Sequence, residues 1–71
     1  MYQFVRTLND RQALLSKDNE HFIASFADVY GSGPEVLVFP ATADGKVSDW
    51  GEVDGGRGYR SLQDFLNKHL G

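Results

Sequence analysis

The chain opens on Tyr2-Gln3-Phe4-Val5-Arg6-Thr7-Leu8, a segment rich in β-formers with Tyr2, Phe4 and Arg6 on one face. Asn9-Asp10 follows, two residues that tolerate the left-handed backbone of a tight turn. Arg11–Ser16 then reads as a return strand; its rival is a short helix capped by Asn9 or Asp10, which Ala13-Leu14-Leu15 would favour. The hairpin is preferred, because a helix of under two turns gains little by itself. Further on, Phe22, Ile23, Phe26, Val29 and Tyr30 recur at helical spacing behind Asp18, a good N-cap, and Glu20, which suits a first turn. This predicts a helix over 18–30, with His21 in its first turn, stopped by Gly31-Ser32-Gly33-Pro34.

The second half predicts a hairpin at Glu35–Val53. Glu35–Phe39 is a short apolar β-run, Pro40 closes it, and Asp44-Gly45 carries the strongest short hairpin signal in the chain. Val47–Val53 is the expected paired strand, and Asp54–Tyr59 a loop with three glycines. Ser61 with Asp64 approximates a capping box for a closing helix. Leu62, Phe65, Leu66 and His69/Leu70 supply its stripe, and Gly71 its end. The expected fold is α+β, in the order β-β-α-β-β-α: one domain over residues 1–71, with a four-stranded, mainly antiparallel sheet and two helices on one face.

Composition narrows what such a domain does. At 71 residues the chain lies near the lower limit for folding alone. It has no cysteine, and His21 and His69 are far apart without clustered carboxylates, so neither a disulfide framework nor a metal is expected to staple it. Aromatic packing, and a homodimer as a further route, remain as sources of stability. No leader pattern and no long apolar run occur, which reads as a cytoplasmic protein without a membrane span. The formal charge of −3, with scattered carboxylates, disfavours nucleic acid as a partner.

Four groups of residues bear on chemistry. Asp44, Asp49, Glu52 and Asp54 are close in sequence, but an EF-hand glycine at Gly45 would place Pro40, Thr42 and Asp44 at the first ligand positions, a poor match. Gly55-Gly56-Arg57-Gly58 with Arg60, just before a helix, offers backbone N–H groups and guanidinium to an anion, yet it lacks the spacing of a nucleotide-binding loop, and a flexible strand-to-helix connection is the preferred reading. Trp50 has Ser48 and Glu52 on its face of the expected strand. It is then either a partly exposed contact anchor, extended by Arg57 and Tyr59, or a side chain packed over the hairpin or a helix. The serines lack a nucleophile elbow and the histidines lack partners, so no catalytic residue and no cofactor is expected.

Pro34-Glu35-Val36-Leu37-Val38-Phe39-Pro40-Ala41 followed by Asp44-Gly45-Lys46-Val47-Ser48-Asp49-Trp50-Gly51-Glu52-Val53 resembles a group of short actinobacterial phage and prophage proteins. These often carry E-T-x-V-F-P-A-D-x-D-G-x-V-x-D-W-x-E after a helix. Val36 stands here where many have threonine, and Thr42 where many have the first aspartate. The resemblance covers a little over a third of the chain. It implies a phage or prophage origin and a bacterial host cell, and brings no activity or site residue with it. The expectation is a small non-enzymatic accessory protein that binds another protein, such as a host or defence component; the alternative is an anion- or nucleic-acid-binding module using Gly55–Arg60.

Overall fold

Two short turns shape the first half of the chain in the computed structural model, which describes residues 1–29 and 33–70. Strands β1 (Gln3–Asn9) and β2 (Gln12–Lys17) are joined through Asp10 and Arg11, with the Asn9 side-chain oxygen accepting the Arg11 N–H at 2.9 Å. The expected first hairpin is therefore present, and residues 12–17 are strand. The turn from β2 into β3 (Glu20–Val29) is made by Asp18 and Asn19, both left-handed at φ 53° and 66°, with Lys17 paired to Glu20 across it. Positive φ at both central positions is the backbone that lets a two-residue turn follow the twist of its strands.

The helix expected over 18–30 is thus a strand, and Asp18 is a turn residue instead of an N-cap. Phe22, Ala24 and Phe26 alternate with Ile23 and Ser25, and β3 pairs with β2 on one side and β4 (Gly33–Ala41) on the other. The helix end expected at residues 30–32 lies outside the described residues. Strand β5 (Asp54–Arg57) completes an antiparallel sheet in the order β1-β2-β3-β4-β5. The sequence had placed the partner of β4 at Val47–Val53 and a loop at Asp54–Tyr59. Only Val47 makes a bridge there, to Ala41, and the ladder proper is carried by residues 54–57. Glycine is required at Gly55: at φ 138° a Cβ would collide with the Val36 carbonyl of the adjoining strand.

One helix, α1 (Leu62–His69), is present among the described residues in place of two, so the order is five strands and then a helix, and the sheet dominates. Its start is as expected. Ser61 Oγ accepts the Asp64 N–H at 3.2 Å, and the Asp64 carboxylate reaches back to the Arg60 N–H at 3.2 Å. Lys68 and His69 occupy the last turn, where positive charge suits the helix dipole. The Tyr2 N–H donates to the His69 carbonyl at 3.1 Å, tying the end of the helix to the start of β1. The predicted stop at Gly71 lies outside the described residues. Among the described residues no helix is long and apolar enough to cross a membrane.

The sheet buries side chains on both faces. Tyr2, Ala13, Leu15, Ala24, Val36 and Val38 meet Phe65 and Leu66 of α1 on one face. Leu14 and Ile23, also fully enclosed, fall on the other, because neighbouring residues of a strand point opposite ways. There Arg6 of β1 donates to the Asp44 carbonyl at 3.2 Å, so the connection after β4 folds back over this second face. Tyr2 donates its hydroxyl proton to Asp54 at 2.9 Å, joining the first and last strands on the helix side.

Candidate functional site

The connection between β4 and β5 builds the most exposed apolar surface among the described residues. It starts as a tight turn: the Gly45 N–H donates to Thr42 O at 3.0 Å, the Thr42 N–H to Lys46 O at 2.8 Å, and Gly45 takes φ 89°. The Thr42 hydroxyl bonds the Asp44 carboxylate and, with weaker help from backbone, Lys46 and Arg6, holds it below the usual carboxylate range. The turn read from Asp44-Gly45 is therefore real. Beyond it the chain touches β4 through Ser48, whose N–H donates to Pro40 O at 2.9 Å, and rejoins at Val53, whose N–H donates to Val38 O at 2.8 Å. Residues 49–52 leave the ladder between these points.

Trp50 stands at that excursion, 74% exposed. The Asp49 carboxylate accepts the Gly51 N–H at 2.8 Å, a local turn that fixes the backbone on both sides of the indole. The indole meets Phe39 edge-on, with centroids 5.3 Å apart and planes at 66°. The indole thus rests on Phe39 and is still mostly in solvent. Phe39 lies in register with Ile23, so Trp50 sits on the face of the sheet away from α1. Val53, 56% exposed, is a second exposed apolar side chain of this connection, at the point where it rejoins β4. The expected position of Val53 inside a strand had concealed it, although its carboxylate neighbours Glu52 and Asp54 were a signal of exposure.

A shallow groove of about 490 Å³ runs from Val53 along β5, lined by Glu35, Leu37, Glu52 and Arg57. Arg57 lies 3.8 Å from Glu35, and with its side chain 72% exposed this ion pair contributes little to stability. Tyr59, expected to join Trp50 and Arg57, goes elsewhere. It is half-buried over Gly56 and makes an edge contact with Phe65 at 5.2 Å on the helix face. Its hydroxyl lies 2.9 Å from His69 Nε2, and His69 stacks on Phe65 at 4.3 Å. His69 therefore has a partner that sequence spacing did not reveal. His21 lies on β3, paired across to Ser16 and Ala41, in place of the helical turn expected for it.

The glycine loop has a different shape from an anion cradle. Gly55 and Gly56 are strand residues, and the N–H groups of Gly55, Gly58 and Arg60 go to Asp54 Oδ1, Pro34 O and Asp64 Oδ2. Two of these acceptors are carboxylates, which repel an anion. The Asp44 and Asp49 carboxylates turn to local donors, Asp54 accepts from the Gly55 N–H and the distant Tyr2 hydroxyl, and among the described residues no three acidic or histidine side chains gather into a cation site. Burial, then the Asp54 hydrogen bond and charge, push Tyr2 up to about 12. Compared with known protein families, curated proteins and solved structures, the chain matches none.

Proposed function

We propose that this chain is a small phage- or prophage-type accessory protein that acts in a bacterial cytoplasm by binding another protein, without catalysis of its own. The observation that carries the reading is Trp50. A tryptophan 74% exposed, yet resting edge-on against Phe39 with its backbone set by the Asp49 turn, is suited to act as an anchor. Val53 and the β5 edge beside it supply adjoining apolar and backbone surface. The resemblance of residues 34–53 to phage and prophage proteins supports the cellular setting.

The test is affinity capture from an actinobacterial lysate with the wild-type chain and Trp50→Ala, both checked for folding by circular dichroism. One protein held by the wild type and lost by the variant is expected, and once purified it should bind the variant at least about tenfold more weakly, as loss of a central tryptophan does. Equal capture by the two proteins, or self-association as the sole interaction, overturns the proposal.

A further inference from the structure

The charge around Trp50 narrows the partner. From Val47 to Gly56 the chain carries Asp49, Glu52 and Asp54 and no cation. Asp49 and Glu52 are exposed and flank the indole within two residues on either side. Glu20, the first residue of β3, lines a second recess that ends on Val53. On the β5 side Arg57 lies 3.8 Å from Glu35, Lys17 reaches the recess that Glu20 shares with Val53 from the helix side, and Lys46 lies back in the tight turn beyond Val47. An apolar anchor flanked by the exposed carboxylates of Asp49 and Glu52 is complementary to a surface that offers an apolar recess rimmed by positive charge. The indole face itself adds attraction for an ammonium or guanidinium group.

We infer that the protein bound at Trp50 presents Lys or Arg side chains around the apolar site that receives the indole. This rests on the reading of Trp50 as a protein-binding anchor, and it names the chemistry of what is bound. Aspartate and glutamate supply the charge selection, and Trp50 and Val53 the buried apolar contact. A partner with an acidic rim would place like charges across the interface, which costs affinity and slows association.

Trp50 is the single tryptophan, so its fluorescence reports on this surface alone. The full chain is titrated with acrylamide, caesium and iodide at constant ionic strength, each quenching constant being divided by that of free N-acetyltryptophanamide. The acidic rim predicts easy acrylamide access and a caesium-to-iodide ratio of about two or more, because a negative local potential concentrates cations and repels anions. Asp49→Asn with Glu52→Gln keeps the Gly51 hydrogen-bond acceptor and should bring that ratio close to one. In a second arm, an Ac-Lys-Leu-Arg-Leu-Lys amide peptide should perturb Trp50 emission at concentrations where its Glu-substituted counterpart does not, and the double variant should abolish the difference. Iodide quenching equal to or above that of caesium, or equal responses to the two peptides, overturns the cationic partner and leaves the anchor standing. Blue emission with acrylamide excluded overturns the anchor and this inference together.

Discussion

Tyr2 shows how one side chain joins distant parts of the chain. Its ring is 5% exposed and meets Phe22 edge-on at 5.6 Å, its N–H holds the end of α1, and its hydroxyl holds Asp54 at the head of β5. Ionising that hydroxyl would bury a phenolate against a carboxylate, which is why it resists deprotonation to about pH 12. In the unfolded chain the same group ionises near pH 10. Because the folded value is the higher one, the stabilisation is complete below pH 10 and is lost as pH rises through the window from 10 to 12. Urea unfolding midpoints measured from pH 8 to 11.5 should therefore fall more steeply for the wild type than for Tyr2→Phe. The excess loss should be about 1–2 kcal/mol at the top of the range. Parallel curves would remove Tyr2 as the alkaline trigger. The Tyr2–Asp54 pairing lies 52 positions apart in sequence and follows no local rule, so it could emerge only from the fold.

At the scale of elements, the hairpin of β1 and β2, the Asp44-Gly45 turn and the Ser61-capped helix were legible because each depends on contacts within a few residues. Strand β3 was not. Phe22 and Phe26 are four apart, a spacing that puts side chains on one face in a helix and in a strand alike. Ile23, which seemed to widen a helical stripe, is 2% exposed on the opposite face of a sheet buried on both sides. Asp18 and Asn19 suit an N-cap and a left-handed turn equally, so the boundary signal was ambiguous as well. Likewise Val47–Val53 has strand composition, but the Asp49 turn diverts it and pairing resumes at Asp54. The left-handed turn yields a prediction at this scale. Asn19→Val places a β-branched residue at φ 66°, where it is strained, and should cost about 1–2 kcal/mol in thermal or urea unfolding. Asn19→Gly should be neutral or stabilising. Were this segment helical in solution, the order would reverse, since valine is the better helix former of the two.

Across the whole molecule, the two faces of the sheet divide stability from recognition. Phe65 is fully enclosed between the sheet and α1, in contact with Tyr59 and His69, and its loss opens a cavity where the helix is fastened. Trp50 projects from the opposite face, and among the described residues Phe39 is the one aromatic ring it touches. The sequence pointed to Trp50 through its polar neighbours, but it grouped Tyr59 with it; Gly58, at φ 85°, lets the chain turn after Arg57, leaving Arg57 on the β5 edge and Tyr59 under the helix. A buried phenylalanine truncated to alanine costs about 3–5 kcal/mol. Small domains fold with roughly 5 kcal/mol in hand, so Phe65→Ala should be largely or wholly unfolded by circular dichroism at 37 °C. Trp50→Ala forfeits an exposed edge contact of about 1 kcal/mol and should keep a cooperative melt within several degrees of the wild type. The decisive comparison is between those two melts, and the capture experiment depends on it. If Trp50→Ala unfolded the chain as Phe65→Ala does, the indole would be a structural support, and binding lost in that variant would say nothing about an anchor. If it melts near the wild type, the loss of binding belongs to the surface that Trp50 displays.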